Sequence, residues 1–488
     1  MRYTTATIGL AAFLGSTSAH TVFTTLFIND QNQGDGTCVR MPKQGSTSTY
    51  PLEDLSSPDM ACGRDGATPV AFTCPADAGS KLTFEFREYA DLAYGTGSID
   101  PSHKGPCAVY VKQVSDMATT PAAGAGWFKI WDEGYDEAAG KWCTEKLIDN
   151  NGLLSVNLPS ALPTGYFLVR PELLALHNAD KGDPQFYAGC AQVFVSGTTE
   201  EPLDVPANNS VSIPGYVGKG EPSVSFNIWT QPLALPYAIP GPEVFNPVLP
   251  QSPVQAKVVQ AKQTTGAIPS DCILKNANWC GFEVPSYTDE DGCWASSQKC
   301  WDQNSNCYDS APPSGSANCK VWEAKCKGIQ DACAAKNFQG PPVYELKAVE
   351  AAVPGAIPGA AEVKGTEVQG GAGAAETVAP AVDVQSSTTP VVVATSVAAP
   401  SVAAPSVVAA EPSVSATTEA AAQPTAPTGG AAALVISQDG LCGGTTGQTC
   451  EGSEFGGCCS ASGHCGTTKL HCGCGWQLSK QGRGEMEL

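Results

Sequence analysis

The chain has 488 residues, more than one hydrophobic core usually fills, so two or more folded units of roughly 100–200 residues are expected. Its formal net charge of −21 argues against nucleic acid and anionic membrane as partners, because both repel an acidic surface. A neutral polymer would be indifferent to that charge.

In chain order, the first element is a processing signal. Residues 1–19 place Arg2 ahead of the apolar run IGLAAFLG and end in TSA, with Thr17 and Ala19 at the small-residue spacing of a signal-peptide cleavage site. The run is too short to span a bilayer, and no later segment offers about 20 apolar residues. The expectation is a secreted, extracellular protein cut after Ala19, in which the 21 cysteines are free to form disulfides. The C-terminal KQGRGEMEL gives no sign of a lipid-anchor tail.

The cysteines fall into three groups: six from Cys38 to Cys190, eight from Cys272 to Cys333 and seven from Cys442 to Cys474. Within the first group KLTFEFRE (81–88) alternates apolar and polar, AVYVKQV (108–114) and AQVFVSG (191–197) are β-rich, and Gly, Pro, Asn and Asp punctuate the intervals. With no amphipathic helix of 12 or more residues in sight, residues 20–245 are expected to form an all-β catalytic domain, an immunoglobulin-like or fibronectin-like antiparallel β-sandwich whose loops carry function. Residues 246–270, rich in Pro and Gln, are expected to be a linker.

Residues 271–342 form a small cysteine-rich module, with helical spacing in NCKVWEAKCKGIQDACAAKNF and stability expected from disulfides. Eight cysteines allow 105 pairings, so connectivity stays open. Trp279, Trp294, Trp301, Tyr308 and Trp322 are either a polysaccharide platform or core; the core reading is preferred because tryptophans fill small disulfide-rich cores. Residues 343–436 repeat small residues with Pro, Ser and Thr, as in SVAAPSVAAPSVV, and are expected to be a disordered, O-glycosylated stalk. Residues 437–480 make the last disulfide-rich module, and 481–488 a tail.

The chemistry concentrates on three histidines of the first module: His20, His103 in SIDPSHKGPCAVYVK and His177 in LLALHNADKGDPQFYAGC. Cleavage after Ala19 would leave His20 with a free α-amine beside its imidazole, a bidentate ligand whose amine, ordinarily titrating at about 7.7–8.0, a metal readily deprotonates. A third nitrogen from His103 would complete a planar T. Nitrogen ligands in a tetragonal arrangement favour Cu(II) over Zn, which prefers a closed tetrahedron. Tyr187 could supply a distant axial oxygen. Such a site suits redox chemistry better than hydrolysis, and no P-loop, GxSxG or HExxH pattern competes with it.

These segments also carry a resemblance. HTVFTTLFIND (20–30), SPDMACGRDG (57–66), SIDPSHKGPCAVYVKQV (98–114), WFKI (127–130), LPTGYFLVRPELLALHNA (162–179), QFYAGCAQVFVSG (185–197) and SIPGY (212–216), in this order, resemble the fungal cellulose-active lytic polysaccharide monooxygenases of auxiliary activity family 9. The resemblance implies a single copper held by His20 and His103 with Tyr187 axial. It implies catalytic roles for His177 and Gln185, which would orient the oxidant and relay protons. It implies a Cys62–Cys190 disulfide, leaving Cys38, Cys74, Cys107 and Cys143 open, and a surface Tyr216 packing on the glucan. The implied reaction hydroxylates C1 and/or C4 beside a glycosidic bond of cellulose or a related β-1,4-glucan, using an external electron donor and O2 or H2O2. Asn208 opens an N-glycosylation sequon, NNS.

The stretch from Cys442 to Trp476 is similar to hevein-like chitin-binding modules of carbohydrate-binding family 18 in its Cys458, Cys459, Cys465, Cys472 spacing. It departs from them where aromatic platforms are usual, carrying Ser462, His464 and His471, with only Trp476 downstream. Chitin or another wall polysaccharide is therefore a further partner to be tested. A monomer is expected. The competing reading is a non-catalytic copper- or polysaccharide-binding wall protein that keeps the fold; the presence of His177, Gln185 and Tyr187 beside the two ligand histidines favours the enzyme.

Overall fold

The computed structural model describes residues 20–197, 199, 203–247, 262–350 and 352–363, with short stretches between 435 and 466. Contacts divide the chain into two units, residues 1–378 and 379–488.

In the first unit two sheets face each other. The smaller holds four strands in the order Leu153–Asn157, Lys81–Arg87, Val22–Ile28 and Gln31–Asn32. The larger runs Ser210–Ile213, Gly124–Glu133, Cys107–Val114, Gly165–Ala175, Cys190–Ser196 and Val39–Arg40, with Gln185–Ala188 paired to the Gly165–Ala175 strand. The period of two decides which side chains enter the sandwich. Val109, Val111, Phe167 and Val169 meet Leu26 and Phe84 between the sheets, while Tyr110 and Leu168 point to the opposite face, where Trp127, Phe186, Val217 and Ile228 cover them. Because both faces of the larger sheet are buried, its strands read as apolar runs rather than alternating ones.

The expected all-β sandwich is what forms, with one departure from antiparallel pairing: Cys74–Asp77 runs parallel to Cys190–Ser196. Disulfides join Cys38 to Cys74, Cys62 to Cys190 and Cys107 to Cys143.

The cysteine-rich module is a two-stranded hairpin, Leu274–Asn276 with Trp279–Gly281, followed by helices Glu290–Ser310 and Ala317–Ala334. Asp289 caps the first helix by accepting from the Gly292 N–H at 2.7 Å. Cysteines at heptad spacing then rivet the helices together: Cys293–Cys333, Cys300–Cys326 and Cys307–Cys319, with Cys272–Cys280 closing the hairpin. The helix through Cys293, Cys300 and Cys307 has a weak apolar stripe; its inward positions are largely cysteine and small polar residues, which is why hydrophobic spacing did not announce it.

This module is bonded to the sandwich. Asn278 accepts from the Cys38 N–H at 3.0 Å and donates to the Gly36 carbonyl at 2.7 Å, while Thr37 donates to the Ala277 carbonyl at 3.1 Å. The expected linker regions differ correspondingly. Gly266 accepts from the Thr73 N–H at 2.7 Å, and the N–H groups of Thr264 and Thr265 donate to the Tyr166 hydroxyl. Beyond residue 342, Ala361 donates to the Ser155 carbonyl at 2.8 Å and Glu362 accepts from the Trp131 indole at 3.2 Å. The reason is an edge: Leu153–Asn157 is the outer strand of the four-stranded sheet and offers unpaired backbone groups that a passing chain can use whatever its composition.

In the second unit, Val435–Ile436 pairs with Gln448–Thr449 and Cys458–Cys459 with Cys465–Gly466, and Cys450 is bonded to Cys465. Ser462, His464, His471 and Trp476 lie outside the described residues. Among the described residues no helix is long and apolar enough to cross a membrane.

Candidate metal centre

Four separate pieces of chain supply the histidine cluster. His20 directly precedes the Val22–Ile28 strand. His103 sits in the turn that leads into Cys107–Val114, fixed by donation of its own N–H to the Asp100 carbonyl at 2.9 Å. His177 follows the Gly165–Ala175 strand, and Gln185 and Tyr187 lie on the adjoining Gln185–Ala188 strand, opposite Ala175 and Leu173. Two residues apart on one strand, Gln185 and Tyr187 face the same side.

The rings converge. The His103 and His177 ring centres are 4.1 Å apart, and those of His103 and Tyr187 are 6.0 Å apart. The Tyr187 hydroxyl donates to Gln185 Oε1 at 2.9 Å, and Gln185 Nε2 donates to Asp183 at 3.2 Å. Ser102 Oγ lies 3.2 Å from His103 Nδ1, and Gln185 is a further hydrogen-bond neighbour of the same ring.

Electrostatics prepares these groups as neutral ligands. Burial pushes the His103 imidazole down to about 4, and nearby His177 and His20 add to the effect against the pull of Asp100, so near pH 7 the ring is uncharged. Burial also lowers His177 and raises the Tyr187 hydroxyl, which stays a phenol. The donor chemistry fits copper: the imidazoles of His20 and His103, the Tyr187 phenol, and a buried His177 Nδ1 without a hydrogen-bond partner. Among the described residues no three His, Cys, Asp or Glu side chains group to hold a metal by themselves. A third strong nitrogen would have to come from the backbone, as the α-amine of His20.

Several neighbours were not legible beforehand. Tyr50 stacks on His20 with ring centres 4.2 Å apart at 19°, and Trp229, 56% exposed, donates its indole N–H to the His177 carbonyl at 2.9 Å. Neither carries a motif; only Ser102, next to His103 in PSHKG, could have been found by adjacency. Tyr216 corrects an expectation. Instead of facing out, its hydroxyl donates to Glu172 in the interior and its ring packs on Tyr110, because the buried Arg170–Glu172 pair draws the polar end inward. Asn208 is exposed on a turn, where a glycan has room.

Residues 20–237 match the model of Auxiliary Activity family 9 (formerly GH61). AA9 family lytic polysaccharide monooxygenase H of Botryotinia fuckeliana is 44% identical over 483 residues, covering 96% of this chain and 97% of that protein. The chain belongs to auxiliary activity family 9. AA9 family lytic polysaccharide monooxygenase C of Aspergillus tamarii is 55% identical over 332 residues, covering 66% of this chain and 87% of its own length. Among solved structures, a cellulose-active polysaccharide monooxygenase from M. thermophila is 30% identical, covers 46% of this chain and 99% of its own, and aligns with a TM-score of 0.38. As an AA9 protein the chain is a lytic polysaccharide monooxygenase, an oxidoreductase, and the coverage of the Botryotinia relative extends the likeness across the whole multi-module layout.

Proposed function

We propose that the protein is secreted, is cut between Ala19 and His20, and would hold one copper ion through the His20 amine and imidazole and the His103 imidazole, with the Tyr187 hydroxyl as a further oxygen donor. Its substrate is cellulose or a related β-1,4-glucan, hydroxylated at C1 and/or C4 beside the glycosidic bond with an external reductant and O2 or H2O2. The observation that carries this reading is the convergence of His20, His103, His177, Gln185 and Tyr187 from four segments onto one spot. Copper, when bound, supplies the one-electron chemistry that oxygen activation needs.

The chain's own residues do the rest. His103, kept neutral by burial, offers a ring nitrogen as a ligand, and Ser102 contacts its Nδ1. Tyr187, buried and protonated, closes one side of the histidine cluster. In this reading His177 holds and passes a proton at its imidazole, and Gln185 orients the oxidant by hydrogen bonding through its amide. Tyr50 and the exposed Trp229 offer rings on which a sugar chain could lie.

The test is direct. Copper-loaded mature protein with ascorbate is expected to release oxidised oligosaccharides from cellulose, and their masses assign C1 or C4; copper binding with no oxidised product from cellulose or xyloglucan would leave only a binding protein. Gln185→Leu removes the acceptor of the Tyr187 hydroxyl, and oxidative turnover is expected to fall about 10–100-fold. Calorimetric copper affinity should stay within a few fold. Wild-type turnover in this variant would remove Gln185 from the mechanism.

A further inference from the structure

The five aromatic residues of the cysteine-rich module separate into two sets. Trp279 and Trp322 fill the small core, their rings T-shaped at 5.5 Å. Trp294 and Tyr308 do not, being 43% and 37% exposed, and Trp301, half-buried between them, packs one side against that core. All three lie on helix Glu290–Ser310 at steps of seven, so they form one stripe with a spacing of about 10.5 Å.

Each ring follows a cross-linked cysteine: Cys293–Trp294, Cys300–Trp301 and Cys307–Tyr308, whose disulfides run to the neighbouring helix. That helix also holds two of the rings by their edges. The Trp301 indole donates to Gln330 Oε1 at 3.0 Å, and the Tyr308 hydroxyl donates to Glu323 Oε2 at 2.7 Å. Burial and Glu323 push the Tyr308 hydroxyl up to about 12, so it remains the donor. The row is therefore preorganised, which lowers the entropy lost when a ligand lands on it.

We infer that Trp294, Trp301 and Tyr308 form a binding face for a β-1,4-linked polysaccharide chain. Such a chain turns successive rings by half a turn and presents like faces at every second ring, a repeat comparable to the spacing of the stripe. Gln330 and Glu323 line the row with further donor and acceptor capacity for sugar hydroxyls. Charge gives no preference for a polyanion: on these helices Glu290, Asp291, Asp302, Asp309, Glu323 and Asp331 outnumber Lys299, Lys320, Lys325 and Lys327. The inference rests on the substrate class proposed above and adds a second place on the molecule where that class is held.

The experiment uses the full mature chain without reductant, depleted from solution by microcrystalline cellulose and, separately, by chitin. Trp294→Ala/Tyr308→Ala is expected to lower the partition coefficient on at least one polymer about tenfold, roughly threefold per ring. Trp294→Tyr should stay within about twofold of wild type, since a stacking face is kept. The double variant should keep the wild-type melting temperature, because both positions lie outside the core. Equal partition of the double variant and wild type on both polymers overturns the inference, as does a wild-type chain that binds neither. Oxidised products are scored in a parallel reductant-fed assay, so loss of the enzymatic reading and loss of the stripe appear in different measurements.

Discussion

A chain that keeps Ala19 ahead of His20 is expected to release no measurable oxidised oligosaccharide from cellulose, and to regain activity when the extra residue is trimmed. Acylating the His20 nitrogen turns a basic amine into an amide, which has no available lone pair at neutral pH, so one residue loses one of its two donors. Among the described residues, His, Cys, Asp and Glu side chains do not close a site on their own. Losing an outer hydrogen-bond partner of a metal ligand already costs about 10–100-fold, so loss of a direct nitrogen should exceed roughly 100-fold in copper affinity. Titration calorimetry of trimmed and untrimmed protein, with the Cu(II) spin-resonance spectrum of each, reads the effect. Equal affinity and unchanged spectra in the untrimmed form would remove the amine from the ligand set.

The catalytic module was legible because its signals are local. His20 behind a cleavage pattern, His103 in PSHKG and the QFY segment point to the proposed ligands without knowledge of where the strands go, and AQVFVSG reads as a strand because it is one. What stayed hidden depends on distant chain. Tyr50 meets His20 only after the loop from Gly45 to Pro51 folds across the first strand, and nothing in its neighbours marks it. Tyr216 sits in a recognisable segment, yet whether it points outward is decided by a buried charge contributed from residues 170–172. The segment from 343 to 363 shows the converse. Its composition predicts a chain with nothing to bury, yet Ala361 bonds through its backbone to Ser155 on a sheet edge and packs with Val363 against the core, partners that composition does not record.

Replacing that buried charge has the second large expected effect: Arg170→Met should lower stability by about 3–5 kcal/mol, because Glu172 would be left charged and unpaired in the interior. Arg170 is fully buried, 2.6 Å from Glu172, and donates to the Met60 carbonyl at 2.8 and 3.0 Å. Its guanidinium also lies against the Tyr110 and Tyr216 rings, 5.3 and 5.7 Å from their centres. Burial opposes the charge, but Glu172 outweighs it and holds the arginine above its ordinary range. For a domain of this size the loss corresponds to a melting temperature about 10 °C lower. Arg170→Met/Glu172→Leu removes both charges and should recover part of it, since no buried charge is left without its counter-ion, although the Tyr216 hydroxyl and the Met60 carbonyl lose their partners. A single variant that melts within about 2 °C of wild type would show that the pair contributes nothing. The cluster reaches the metal centre through one strand: Glu172 pairs with Ala188, the residue after Tyr187, so loosening the Arg170 anchor should also reduce oxidative turnover at temperatures well below the melting point.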